Sequence, residues 1–106
     1  MIKTENFNED LQQLSSFAKV LSHPARLMIL KFLAEKNVCI SGDITNEIPL
    51  SRTTVSQHLK ELKNAGFISG TIDGLKVNYC LNPLKIKDIR SQIEKFFKEI
   101  DIVNCC

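Results

Sequence analysis

The stretch from Ser51 to Leu81, SRTTVSQHLKELKNAGFISGTIDGLKVNYCL, constrains the fold of this chain more than any other. Its first half carries one apolar seam, Val55, Leu59 and Leu62, at spacing i, i+4, i+7. That spacing predicts an amphipathic helix, opened by Ser51 and stopped by Gly66. Its second half alternates, with Ile68, Gly70 and Ile72 on one strand and Leu75, Val77, Tyr79 and Leu81 on the next. Between them Asp73-Gly74 predicts a two-residue type I′ turn, because both turn positions need positive φ. Such a turn would pair Ile72 with Leu75 and Ile68 with Tyr79. A short helix with a polar outer face, followed at once by a two-stranded ribbon, is the order of a winged helix-turn-helix.

The remaining periodicities fit that architecture. Phe7, Leu11, Leu14, Phe17, Ala18 and Leu21 recur at helical spacing and predict a first helix. Ser22-His23-Pro24 breaks the chain and restarts it, with Ser22 as the expected N-cap and Pro24 in the first turn. A second helix is expected through Leu27, Leu30, Leu33 and Ala34 to near Asn37, and a short third over 41–48, with Ile44 and Ile48 on one face and Pro49 ending it. Ile86, Ile89, Ile93, Phe96, Ile100 and Val103 alternate steps of three and four in the closing helix, a heptad seam that Phe97 widens. A chain of 106 residues has little core left to absorb six large side chains, so this seam predicts a homodimer. The expectation is a single, mainly α domain over 1–106: five helices plus a two-stranded ribbon, a winged helix-turn-helix. Its parts are the helix-turn-helix over 41–64, the wing over 67–82, and dimerisation helices over 1–22 and 84–104.

Charge narrows the partners. Residues 1–50 carry five basic and six acidic side chains, whereas 51–106 carry nine and six, so the reading half is the basic one. That permits double-stranded DNA as a partner. The opening MIKTENFNED is polar, and the longest apolar run, Leu27 to Leu30, is far too short to span a bilayer. A cytoplasmic chain with no membrane partner and reduced thiols is expected. Nothing points to an enzyme: there is no Cys-x-x-Cys, no glycine-rich phosphate loop, and no cysteine, histidine and acid at catalytic spacing.

The predicted reading helix has suitable chemistry. Gln57 can pair bidentately with adenine and Arg52 with guanine. Thr53, Thr54 and Ser56 offer short hydroxyls, Lys60 adds charge, and the helix start at Ser51 favours a phosphate. Lys76, beside the Asp73-Gly74 turn, is the wing-tip candidate. His58 lies nearer the seam and reads equally as a DNA contact or as a half-buried packing histidine.

With LSHPARLMIL followed by SRTTVSQHLKELKNAGFI, then a hairpin and a closing helix, the chain resembles the ArsR/SmtB family of bacterial winged-helix repressors over about residues 10–103. The resemblance implies a homodimer on a palindromic operator, released when a metal, metalloid or thiol-reactive inducer binds. It maps the family's recognition helix onto Ser51–Asn64, with Arg52, Thr53, Thr54, Ser56, Gln57 and His58 in reading positions. Arg52-Thr53 stands where the family usually has Gln-Pro, so operator preference does not carry over.

The family's sensory sites are where this chain departs from pattern. The zinc site of the closing helix needs Asp-x-His and a downstream histidine; here Asp88-Ile89-Arg90 is the closest match and no histidine follows His58. Of the family's Cys-x-Cys at the start of the third helix, Cys39 matches the first cysteine with one residue inserted, and Ser41 replaces the second. Cys105-Cys106 offers two adjacent thiolates near the end of the dimer seam. Arsenite or antimonite favours three thiolates, and Cys39 of either subunit would complete the set. Cys80 reads as a small half-buried filler. No cofactor is expected for folding. The alternative is a dithiol redox or persulfide switch joining Cys39 to a terminal cysteine.

Overall fold

The computed structural model describes residues 6–36, 39–41, 48–73 and 76–102. Four helices and three strands follow in the order α1 (Glu9–Leu21), α2 (Pro24–Glu35), β1 (Cys39–Ser41), α3 (Arg52–Asn64), β2 (Ile68–Asp73), β3 (Lys76–Leu81) and α4 (Pro83–Glu99). The helix expected over 41–48 falls on 42–47, outside the described residues, except that Ser41 ends a strand. Ile48, from its end, is buried in the core.

Local chemistry sets the helix ends. Asn8 Oδ1 accepts from the Leu11 amide at 2.9 Å to open α1. Ser22 does not cap α2 as expected; its hydroxyl donates to the Lys19 carbonyl at 2.6 Å and closes α1. Because Pro24 occupies the first helical position, the capping place falls to His23, whose Nδ1 accepts from the Ala25 amide at 3.2 Å. Asn82 caps α4 in the same way, with Pro83 again first in the helix.

Gly66 ends α3 with φ of 89°. The Phe67 amide donates to the Leu62 carbonyl and the Gly66 amide to that of Lys63, both at 3.0 Å, a Schellman motif. Leu62 and Phe67, its flanking apolar pair, are both buried. The Asn82 amide then donates to the Phe67 carbonyl at 2.9 Å, tying the start of α4 to the end of α3. Lys85 lays its stem beside Gly66 and its ammonium 5.1 Å above the Phe17 ring.

The sheet corrects two expectations. It has three strands, in the order β1-β3-β2, with both pairings antiparallel, rather than the two of a bare ribbon. A strand of three residues is too short to announce itself by alternation. The hairpin register is also shifted. Ile68 pairs with Leu81, Gly70 with Tyr79 and Asp73 with Lys76, so the connection is Gly74-Leu75 and not Asp73-Gly74. The shift is two residues, which equals the side-chain period of a strand, so Ile68 and Tyr79 stay on one face. Ile68 and Tyr79 are both buried, although they are not partners. Gly70 explains the chosen register: a Cβ there would run into the Asn78 carbonyl and the Tyr79 backbone across the pair.

The core lies between α2, α3, the sheet and the inner faces of α1 and α4. It comprises Phe17, Ile29, Leu33, Ile48, Val55, Leu59, Leu62, Phe67, Ile68, Tyr79 and Ile89, with Phe17 and Phe67 edge to face at 6.1 Å. The predicted seam of α3 is thus entirely buried. Among the described residues, no helix is long and apolar enough to cross a membrane.

Candidate nucleic-acid interface

The seam of α3 turns its opposite face to solvent. Arg52, Thr53, Gln57 and Lys60 are exposed there, as is the cap residue Ser51, while Thr54 and Ser56 are half-buried at the flanks. Ser51 Oγ accepts from the Thr54 amide at 3.3 Å and donates to Thr54 Oγ1 at 2.9 Å, so both hydroxyls brace the helix start. No acidic residue occupies the first turn of α3, in contrast to Glu9 and Asp10 in α1. The positive end of the α3 dipole is therefore not neutralised by its own side chains and favours a phosphate. Lys76 opens β3 opposite Asp73, at the end of the hairpin.

His58 is the correction on this helix. It is buried at 7% exposure, and its Nδ1 accepts from Arg26 Nε at 3.2 Å. Since Nδ1 is an acceptor, the neutral ring carries its proton on Nε2, which has no partner among the described residues. Its pKa is lowered, first by burial and then by the nearby His23 and Arg26 charges. The His23 ring lies 4.2 Å away, centroid to centroid. The enclosed imidazole thus serves the packing of α3 against α2.

Arg26 escaped the sequence reading. It also donates from Nη1 to the Val20 carbonyl at 3.2 Å, so one guanidinium joins the end of α1, the start of α2 and the middle of α3. The available signal was its spacing. Arg26, Ile29 and Leu33 lie at i, i+3, i+7, which puts a cation on the buried stripe of α2, where it needs an interior acceptor.

The expected dimer seam divides into two parts. Ile89 is buried in the chain's own core, with Ile86 and Ile93 packed partly against it. Phe97 and Ile100 remain 60% and 50% exposed, and Val103 lies outside the described residues. Together with Leu11, Leu14, Ala18, Leu21, Ile93 and Phe96, Phe97 lines an apolar groove between α1 and α4. Asp88 and Arg90, at the family's zinc positions, are engaged within α4: Gln92 Nε2 donates to Asp88 at 3.1 Å and Arg90 Nε to Glu94 at 2.8 Å.

Of the cysteines, Cys39 lies in β1, and Cys105 and Cys106 lie outside the described residues. Cys80 is no bystander: its sulfur is disulfide-bonded, and β1 pairs Cys39 directly opposite it.

A capped helix with a polar outer face, supported from below by a core and flanked by a hairpin, defines a winged helix-turn-helix DNA-binding regulator. The model of the arsR family of bacterial regulatory proteins matches residues 23–69, from the cap of α2 to the first wing strand. The cadmium resistance transcriptional regulatory protein CadC of Listeria innocua is 33% identical over 92% of this chain and 82% of its own length. The chain belongs to the arsR family of transcriptional regulators and is not an enzyme. The fold is shared with an ArsR-like regulator from Rhodococcus (TM-score 0.65, 21% identity, 84% of this chain and 83% of that one). It is also shared with the homodimeric winged helix-turn-helix domain of Mb0332 from Mycobacterium bovis (TM-score 0.58, 21% identity, 91% and 88%).

Proposed function

We propose that the chain is a homodimeric repressor that holds a two-fold symmetric operator and releases it when a thiophilic inducer engages its cysteines. The observation that carries the DNA half is the row of Arg52, Thr53, Gln57 and Lys60, exposed on a helix whose other face is wholly buried. The dimer is supported by the apolar groove between α1 and α4 and by the homodimeric state of Mb0332. The exposed apolar side chains of Leu11 on α1 and Phe97 on α4 call for a partner.

A two-fold dimer would set its two α3 helices in major grooves one helical turn, or a multiple, apart. Footprinting on promoter DNA should show symmetric protection, and affinity should fall steeply with salt because phosphate contacts release counterions. Asymmetric protection by a monomer, or binding indifferent to salt, would overturn the reading.

For the inducer, arsenite or antimonite on the thiolates of Cys39, Cys105 and Cys106 is the first reading, since soft ligands select soft centres. The cadmium resistance named for CadC points to the same soft class and makes Cd(II) the second probe. Among the described residues no group of three histidine, cysteine or acidic side chains could hold a metal, so the proposed set depends on the terminal pair. Titration of the reduced protein with arsenite and with Cd(II), followed by thiolate charge-transfer absorption, tests it. If serine at Cys105 and Cys106 leaves both absorption and operator release intact, the terminal pair is not the sensor. A dithiol switch is the second reading, favoured by the engaged sulfur of Cys80.

A further inference from the structure

We propose that Cys39 and Cys80 form a reversible dithiol–disulfide site that ties β1 to the wing. The proposal rests on the thiol-switch reading above but changes the residues that carry it. Cys80 is half-buried on β3 and its sulfur is disulfide-bonded. The β1–β3 register pairs it with Cys39, between the pairs Ile40 with Tyr79 and Ser41 with Asn78 on one side and the end of β1 on the other. Directly opposed residues of an antiparallel pair have Cα atoms about 4.5–5.5 Å apart and side chains on the same face. Both spacings lie within the roughly 4.4–6.8 Å that a disulfide spans. Cys39 is therefore the partner that the backbone presents to Cys80 without rearrangement.

The position of the pair gives the bond its consequence. Between Cys39 and Cys80 the chain contains all of α3, β2 and the hairpin connection, and most of β3. One covalent link thus closes a loop around the whole DNA-reading unit. It anchors that loop at β1, an edge strand of only three residues with one strand neighbour, β3, and α2 packed against it. With the bond open, so short an edge is held to β3 only by its ladder, and β1 loosens from the wing. With it closed, the two move as one body.

The chemistry is thiol–disulfide exchange with a low-molecular-weight disulfide, RSSR. One protein thiolate attacks a sulfur of RSSR, forming a mixed disulfide and expelling RS⁻. The second protein thiolate attacks the protein sulfur of that mixed disulfide and expels the other RS⁻. The protein loses two electrons, RSSR gains them, and the two thiol protons end on the two RSH released. Excess RSH reverses the sequence.

The test equilibrates the full chain in reduced and oxidised glutathione at a series of ratios, alkylates free thiols, and maps the peptides by mass. The expected result is a peptide pair linked through Cys39 and Cys80, with both residues losing alkylation together at one midpoint. Cys39→Ser or Cys80→Ser should abolish the link, while Cys105→Ser and Cys106→Ser should leave it. The oxidised form should unfold several degrees higher, as expected for a closed loop of this length. The two forms should also differ several-fold in operator affinity. Cys39 linked to a terminal cysteine, with Cys80 alkylated throughout, would overturn the pairing. A bond that breaks only when circular dichroism shows unfolding, or equal operator affinity in both forms, would overturn the switch. Operator binding is measured for both redox forms and tests the regulator reading alone: failure of both while the linked peptide forms would reject the proposed function and leave the cysteine pair standing.

Discussion

Arg26 and His58, 32 residues apart in the chain, meet at the edge of the core, where Arg26 Nε donates to His58 Nδ1 at 3.2 Å. The same guanidinium holds the last turn of α1 through the Val20 carbonyl. The orientation of the reading helix is thereby referred to both helices that precede it. The apolar seam alone fixes which face of α3 is buried, but it leaves sliding and rotation to side-chain packing. A directional bond at mid-helix removes that freedom.

Arg26→Met should strand the buried Nδ1 of His58 without a donor. Leaving such a group unsatisfied costs about 1–3 kcal/mol, read as a lowered midpoint in urea unfolding. The double variant Arg26→Met, His58→Leu should lose less than the two single losses summed, because neither partner is then left unpaired. Additive losses would mean that the bond does not couple the helices.

Stability should fall on mild acidification. Burial, then the His23 and Arg26 charges, holds the folded pKa of His58 below its ordinary 6.5. Between those two values the unfolded chain binds more protons than the folded one, so unfolding free energy rises with pH. The contribution is complete above 6.5 and is lost progressively as pH falls toward the folded value. Urea midpoints from about pH 5 to about pH 8 should show this slope, and His58→Gln should flatten it.

On the exposed face of α3, substitutions should separate affinity from stability. Gln57→Ala should cost about 1–3 kcal/mol of discrimination at one operator position if its amide reads a base edge. Lys60→Ala should weaken binding evenly across sequences and reduce the salt slope by about one. Both should unfold within about 0.5 kcal/mol of the parent, since neither side chain contributes to the core. Electrophoretic mobility shift over an operator series, with urea unfolding alongside, checks all three.

Two glycines should differ in what they tolerate. At Gly66, φ of 89° and the Lys85 stem at 3.1 Å make alanine costly, by about 1 kcal/mol or somewhat more. At Gly70 the obstacle is the backbone of the partner strand, which cannot step aside as a lysine stem can. Gly70→Ala should therefore be the worse of the two, with loss of the Gly70–Tyr79 register visible as faster amide exchange across the wing.

Phe97→Asp should convert the proposed dimer to a monomer in analytical ultracentrifugation and abolish operator binding with little change in monomer folding. Phe97 is 60% exposed in the single chain, so a charge there disturbs only a face that a second copy would cover. Ile89→Ala is the contrasting case: its loss should appear as instability, about 2–5 kcal/mol, because Ile89 is spent inside the chain.

Much of this protein follows from local pattern. The α3 seam, its Ser51 cap, its Gly66 stop and the shared face of Ile68 and Tyr79 follow from local spacing, and such patterns survive without knowledge of neighbours. The exposed row of Arg52, Thr53, Gln57 and Lys60 was legible for the same reason, because a buried seam dictates the opposite exposed face. What stayed hidden depends on contacts across long separations. Nothing within a few residues of His58 says that Arg26 will donate to it, so its role as a positioning residue came only with the packed helices. The register of the hairpin was decided by Gly70 meeting Tyr79 across the sheet, a fit that turn propensity alone misplaces by two residues. Cys39 and Cys80 are 41 positions apart. The sequence by itself determined that this is a winged helix and which face of α3 is left exposed. The tertiary structure decided what holds that face in place and that Cys39 and Cys80 are opposite each other in the sheet register, because chain topology, not spacing, brings distant segments together.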